Sequence, residues 1–303
     1  MSVFRLRLPA TSANLGAAFD TAAVALALFL TVDAEKAEEF SIEATGRNAQ
    51  QCSRMEDNLV LETYRNLLTR EGRPVQPLAI RMENQIPLGM GCGSSAAGLL
   101  AATALAVHFG ELNWNSDRIL AEACALEGHP DNVAACWLGG LAIAACPAGV
   151  VHAARVEPPA AWRATVVMPG RSLATSKARA LLPQQYTWLD TVANIQAASL
   201  LGLAFAQGRG DLLAPAMSDR IHQPYRAEAC PLLPLLLPLT GSHGILGVAL
   251  SGAGPSVLLI LAGDEGVPGA ITAIQDALAG KMDVEILTMN FESQGARDTL
   301  KKN

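Results

Sequence analysis

No two cysteines in this 303-residue chain stand in a C-x-x-C spacing; the six are scattered at positions 52, 92, 124, 136, 146 and 230. That argues against a zinc ribbon or a dithiol centre and reads as reduced, buried thiols in a soluble cytoplasmic protein. Positive charge is also in short supply. With 22 Lys and Arg against 28 Asp and Glu, the formal net charge of −6 argues against nucleic acid or an anionic membrane as the main partner. It does not argue against an anionic nucleotide, which a local nest of backbone amides and a cation can hold. Two apolar stretches are not membrane spans either: residues 22–30 are too few to cross a bilayer, and Pro234 and Pro238 interrupt the leucine-rich run 232–239. The opening MSVFRLRLP alternates basic and apolar residues, which fits a first strand and not a signal peptide. There is no internal repeat.

What the chain does have is a large apolar content and a glycine loop. Half the residues are hydrophobic, enough for a sizeable core in one large domain or two medium ones. Residues 87–97 read PLGMGCGSSAA. Leu78, Ile80 and Met82 alternate with polar or small residues ahead of the loop, predicting a strand, and residues 96–109 behind it predict a buried helix. Strand, glycine loop and helix N-terminus together present several backbone N–H groups, and the helix dipole, to one anion. Gly89, Gly91 and Gly93 clear side chains from the approach, while Ser94 and Ser95 supply hydroxyls for a phosphate oxygen or hydrated Mg²⁺. A Walker A loop is excluded, because no Lys stands beside these glycines. The dinucleotide fingerprint is excluded too, because the third Gly falls one residue early. A glycine-rich turn with a capping serine has the same local pattern.

Along the rest of the chain, strands are expected at residues 4–8, 24–32 and 40–44, with PATSANLG (residues 9–16) a polar turn after the first. Asp57 or Asn58 caps a helix with Leu59, Val60, Tyr64, Leu67 and Leu68 on its apolar face. A helix over 116–126, with Ser116 as its cap, leads into Glu127-Gly128-His129-Pro130-Asp131-Asn132. An Asp or Asn there would cap a helix over 133–138, followed by a strand over 141–145. Residues 147–159 have little pattern and three prolines, so the chain divides there into domains 1–155 and 156–303. Beyond it come a strand (164–168), a short helix capped by Thr175 or Ser176, and a long helix (189–206). A polar turn, IHQPYR (221–226), leads to strands at 246–250 and 256–261 about a second glycine loop, then a helix and a strand (284–289). That order fits a ferredoxin-like α+β domain.

The polar residues suit phosphoryl transfer, which needs a cradle, a metal, charge stabilisation and an oriented acceptor. Glu127 with Ser94 or Ser95 suits Mg²⁺. Asp131 and Asn132 can orient an acceptor hydroxyl, or Asp131 can take its proton. Arg179 and Arg226 can each grip a carboxylate with two prongs, and Asp20 can pair with an ammonium group; together they suit a hydroxy amino acid.

PATSANLG, PLGMGCGSSAA and LSGAGPS, in that order, resemble the three motifs of the GHMP small-molecule kinases. With Phe19-Asp20, EGHPDN, TSKAR and IHQPYR, the chain is similar to the homoserine kinase branch of that family over roughly residues 5–260. The resemblance implies a two-domain α+β fold: an N-terminal domain with a left-handed βαβ unit and a C-terminal ferredoxin-like domain. It implies an enzyme that uses ATP and Mg²⁺ to phosphorylate the side-chain hydroxyl of L-homoserine, a step toward threonine. ATP would lie on Pro87, Gly89, Gly91, Gly93, Ser94, Ser95, Ala96 and Ala97, with the metal at Ser95 and Glu127. Homoserine would contact Asn14, Asp20, His129, Asn132, Thr175, Arg179 and Arg226. Catalysis would fall to Asn132, Asp131 and Arg179 by positioning, without a dedicated base. The resemblance is compatible with a homodimer. Another acceptor, such as threonine, or a non-catalytic ligand sensor on the same scaffold remain the alternatives. Two departures stand out: Ala17-Ala18 replaces the usual Pro-Gly, which would strain Ala18 by about 1 kcal/mol if that position takes a positive φ. Cys92 replaces the usual Leu in the glycine loop, leaving a smaller apolar plug.

Overall fold

The computed structural model describes residues 3–300. Its first sheet is built from β1 (Phe4–Ala13), β2 (Ala22–Lys36), β3 (Ser41–Gly46), β4 (Leu78–Asn84), β5 (Leu141–Ala145) and β6 (His152–Val156). Five of them form a ladder in the order β3-β4-β2-β5-β6, and the sixth, β1, also pairs with β2. Only the β3–β4 pair is parallel. Between these strands lie α1 (Ala49–Cys52), α2 (Leu59–Arg70), α3 (Ser94–Phe109), α4 (Ser116–Glu127) and α5 (Asp131–Leu138).

The second sheet contains β7 (Arg163–Pro169), β8 (Ile245–Leu250), β9 (Val257–Leu261) and β10 (Val284–Met289), in the antiparallel order β10-β7-β9-β8. Its helices are α6 (Thr175–Ala180), α7 (Trp188–Gln207), α8 (Leu213–Ala216), α9 (Gln223–Arg226), α10 (Leu232–Leu236) and α11 (Val267–Leu278). A strand, helices, a hairpin of two strands, a helix and a strand, with the first strand between the fourth and third, is the ferredoxin-like arrangement expected from the sequence.

Most elements form where apolar periodicity places them. Asn58 caps α2, its side chain accepting from the amides of Val60 and Leu61 at 3.1 and 3.2 Å. α3 is apolar almost all round because it is a core helix, with residues from Ala96 to Ala106 buried against β1 and α2.

The differences have local causes. PATSANLG is not a turn from its start: β1 runs on through Ala13, and Thr11 and Ser12 are buried in its ladder with β2. The cap of α4 is Asn115, which accepts from the Arg118 amide at 2.9 Å; Ser116 instead accepts from the Trp137 indole at 3.0 Å. β6 lies in the stretch expected to lack pattern. As an edge strand it is half solvated on both faces and carries no period-2 signal. IHQPYR is a helical turn whose polar side chains His222, Gln223 and Arg226 are all enclosed, while Pro224 and Tyr225 stay exposed.

Residues 290–300 leave the second sheet and return to the first. Ala27 donates to the Asn290 carbonyl, Glu292 to that of Ala25, and Gly140 to that of Glu292. α12 (Ala296–Leu300) then packs on β1 and α5. α7 is long and apolar enough to cross a membrane by length and composition alone. It buries Leu201, Ala204 and Phe205, the last edge-on to Trp162, but leaves Trp188, Leu189, Ile195 and Leu203 exposed.

Candidate active site

A cleft of about 410 Å³ is lined from both halves of the chain, and its floor is the glycine loop. Gly89, Gly91 and Gly93 all have φ near +70°. At two of them close approach alone would demand glycine. A Cβ on Gly91 would sit 2.1 Å from the Ser251 carbonyl oxygen, and one on Gly93 only 1.9 Å from Thr11 Oγ1. Gly93 occupies the N-cap position of α3 without a side-chain cap, and the first bond of the helix runs from the Ala97 amide to its carbonyl at 3.1 Å. The amides of Ser94 and Ser95, which line the cleft, therefore precede the helical ladder and are available to an anion.

At the end of α4, Glu127 accepts a hydrogen bond from the Ser95 hydroxyl at 2.7 Å. Burial pushes the Glu127 carboxyl above its ordinary value, against the opposing pull of that bond and of His129. A carboxylate and a hydroxyl at this spacing are hard oxygen donors that fit a small divalent cation. Gly128, at φ +85°, ends α4 and turns the chain so that His129, Asp131 and Asn132 follow within one short connection.

Asp131 faces inward. Its Oδ1 lies 2.8 Å from His129 Nδ1 and accepts from the Asn132 amide at 2.6 Å. Burial draws the His129 pKa down, but the bond to Asp131 and the charges of Asp131 and Glu127 outweigh it and hold His129 above its ordinary value. Asn132 is oriented by Thr11, whose hydroxyl donates to Asn132 Oδ1 at 2.7 Å. With its oxygen engaged there, Asn132 turns its NH₂ group, a donor only, to the remaining side of the cleft.

The other end of the cleft is charged. Asp20 and Arg179 form a two-pronged ion pair at 2.6 and 2.9 Å. Arg226, only 1% exposed, forms no ion pair among the described residues. Both guanidinium groups lie over the ring of Phe19, at 5.5 and 5.3 Å from its centroid. Asp20, His129 and Asp131 bring ligand atoms within 4.8 Å of one another. Their partners are Arg179 and each other, so the cluster reads as an ion-pair network and not a metal cage.

Residues 58–140 match the family pattern described as GHMP kinases N terminal domain, and residues 203–280 match that of the GHMP kinases C terminal. A homoserine kinase of Solibacter usitatus (strain Ellin6076) is 43% identical over 259 residues, 85% of each chain. The chain belongs to the GHMP kinase family, beside the homoserine kinases. A second relative of that name, from Deinococcus radiodurans, is 38% identical over 255 residues, covering 84% of this chain and 83% of that one. The crystal structure of homoserine kinase from Cytophaga hutchinsonii ATCC 33406 superposes with a TM-score of 0.83 over 97% of this chain and 96% of that one. At 24% identity it speaks for the fold.

For this kinase, the cleft gathers most residues expected from the sequence: Asn14, Asp20, Gly89, Gly91, Gly93, Ser94, Ser95, Glu127, His129, Asp131, Asn132, Thr175, Arg179 and Arg226 all line it. Three candidates do not. Pro87 faces a separate depression beside Arg47 and Glu285, and Ala96 and Ala97 are wholly buried in the α3 core contacts. Asn14 lines the cleft, yet its amide is a fastener: Nδ2 donates to the Gly252 carbonyl at 2.8 Å and Oδ1 accepts from the Asp20 amide at 3.0 Å. Ala18 takes no positive φ; the left-handed positions fall on Asn14, Leu15, Gly16 and Asp20, so the expected strain at Ala18 does not arise. Sequence reasoning missed Thr11, whose role appears only through Asn132. It also missed Ser251, whose hydroxyl lies 2.7 Å from the Gly91 carbonyl and 2.9 Å from Ser12 Oγ. The apolar end formed by Leu30, Leu59, Val60, Met82, Ile86 and Leu88 went unread as well, because those residues look like ordinary core in sequence.

Proposed function

We propose that this kinase moves the γ-phosphoryl group of ATP, bound as its Mg²⁺ complex, to the side-chain hydroxyl of L-homoserine, a step toward threonine. The observation that carries the reading is the presence of one acid, Asp20, and two arginines, Arg179 paired to it and Arg226 unpaired among the described residues, in the same cleft as the glycine loop. An α-amino acid has one ammonium and one carboxylate, and this end of the cleft offers a partner to each. In this reading residues 1–155 hold the nucleotide and residues 156–303 bring the arginines to the acceptor. The nucleotide base takes the apolar end, and its phosphates run over Gly91, Gly93 and the open amides of α3.

Ser95 and Glu127 would hold Mg²⁺, which neutralises charge on the phosphate oxygens. The Asn132 NH₂ donates to the acceptor hydroxyl oxygen and fixes its approach. Asp131, already engaged by His129 and the Asn132 amide, positions that end of α5 and does not act as a base. Arg179 turns from Asp20 toward the negative charge of the reacting groups. Catalysis then rests on orientation and electrostatic stabilisation. The setting is cytoplasmic, and the uncovered apolar side of α7 supports a homodimer.

The test is ADP release with Mg²⁺-ATP against L-homoserine, L-threonine, L-serine and mevalonate. Turnover with L-homoserine well above the others is expected; no turnover with any amino acid overturns the reading. Arg226→Lys should raise KM for L-homoserine by about tenfold to a hundredfold, equivalent to about 1.5–3 kcal/mol for a charged hydrogen bond, and leave KM for ATP nearly unchanged. Equal effects on the two would show that Arg226 does not hold the acceptor.

The metal assignment has a pH signature. Coordination needs the ionised carboxylate, and Glu127 is held above the ordinary value of 4.5. The Mg²⁺ requirement of turnover should therefore rise as pH falls through that raised value. In Glu127→Gln it should already be raised at pH 7, by about tenfold or more, with no further acid dependence from this site.

A further inference from the structure

His222 is wholly buried and has no part in the reaction as derived above. Its Nε2 lies 2.8 Å from the carbonyl oxygen of Gly16, and its Nδ1 lies 3.2 Å from a terminal nitrogen of Arg226. A carbonyl can only accept and a guanidinium can only donate. The first contact therefore requires a proton on Nε2 and the second a bare Nδ1; together they require a neutral ring in the Nε2–H state. The ring is stacked on Phe19 at 5.1 Å, which fixes its plane.

The groups around it compete over that state. Asp219, from the turn before α9, has Oδ2 3.5 Å from Nε2, and Asp20 adds negative charge from the first motif; both favour a protonated ring. The Asp219 carboxylate is already engaged by the amides of Ile221, His222 and Gln223, at 3.0, 3.0 and 2.6 Å. Burial and the Arg226 charge act the other way and draw the His222 pKa below its ordinary value.

We propose that His222 is a positioning residue for acceptor recognition: its bare Nδ1 holds one arm of Arg226, so that the rest of the guanidinium is aimed into the cleft for the acceptor's carboxylate. The Arg226 Nε–H is held at the same time by the Ala178 carbonyl at 3.2 Å. Two anchored nitrogens fix the plane of the fork, and the remaining N–H groups are left for a ligand. Protonation of Nδ1 would set a donor against a donor and turn Arg226 away. Binding of the amino acid, and not of ATP, is the step that senses the ring. This inference rests on the proposed amino-acid subsite.

Two substitutions separate the two ring bonds. Asn places an amide oxygen about where Nδ1 stands, keeping an acceptor for Arg226; Gln places an amide nitrogen about where Nε2 stands, keeping only the bond to Gly16. His222→Gln should raise KM for L-homoserine by about tenfold while KM for ATP stays within about twofold, and His222→Asn should recover most of that loss. As pH falls below the ordinary histidine value of 6.5, KM for L-homoserine should rise in the unaltered kinase and stay flat in His222→Asn. A purely structural role predicts the reverse order, with Gln tolerated and Asn not, and that result overturns the proposal. So does an equal rise in KM for ATP.

Long-range ¹H–¹⁵N spectra of the imidazoles in the unaltered, substrate-free kinase give a readout independent of the variants' folding. The Nε2–H neutral ring is expected for His222 at pH 7.5; an Nδ1–H or charged ring overturns the proposal, also where neither variant folds. Failure of the unaltered kinase to bind or phosphorylate L-homoserine overturns the subsite itself, and the substrate-free ring spectrum tells that failure from one at His222.

Discussion

Gly93→Val should yield a chain that folds but no longer holds ATP, with turnover reduced by more than about a thousandfold. A Cβ at this position would lie 1.9 Å from Thr11 Oγ1 and 3.3 Å from Asn132 Oδ1, and it would stand in the mouth of the amide cradle. It disturbs several donors at once, and the loss of one such donor already costs about a hundredfold to a thousandfold. The left-handed backbone, at φ +70°, adds strain of about 1–2 kcal/mol for a residue with a side chain. With the overlap on the buried Thr11 hydroxyl, about 1–3 kcal/mol more for overpacking, the sum stays below most of the about 5–15 kcal/mol that stabilises a folded domain. Gly72→Ala supplies the control, because Gly72 also has a positive φ but no atom within 4 Å of its Cβ position. It should melt slightly early and retain full activity. Calorimetric titration with ATP and a thermal melt of both variants check the pair, and retained nucleotide affinity in Gly93→Val would contradict the cradle.

Asn132→Ala should lower kcat by about a hundredfold to a thousandfold and change KM for either substrate by only a few-fold, because the lost donor acts on the reacting oxygen. Thr11→Val removes the hydroxyl that holds the Asn132 amide and keeps the side-chain volume. It should cost about tenfold in kcat, in line with one hydrogen bond of about 1.4 kcal/mol, and Thr11→Ser should restore it. Steady-state kinetics of the three variants beside Asp131→Asn give the comparison. A nearly normal kcat for Asn132→Ala with an inactive Asp131→Asn would make Asp131 the base.

Much of this was legible in the sequence where one residue's chemistry is its own signal. The glycine spacing, the EGHPDN cluster and the two arginines announce themselves, and the ferredoxin-like order follows from apolar periods alone. The expectation of a polar turn in PATSANLG failed because polarity was read as exposure. Thr11 and Ser12 are polar because they bond to Asn132 and Ser251, which lie 121 and 239 residues away. His222 was hidden for the same reason, since its partners come from Gly16 and from the turn after it. The resemblance places Asn14 at the substrate, and it does line the cleft; what the sequence does not show is that its amide also joins the first motif to the third. Long-range pairing between polar groups has no period, so a sequence shows the residues and not the bonds.

The return of residues 290–300 to the first sheet bears on how the chain is made. Gly139 is pressed against the backbone of Ser293 and Gly295, and Ala296 is sealed beneath β1 and α5. During synthesis β1 gains its cover from α3 and α5 early, but the part of it beneath α12 stays open until that segment leaves the ribosome. The first sheet is thus completed after the second, although its strands are translated first.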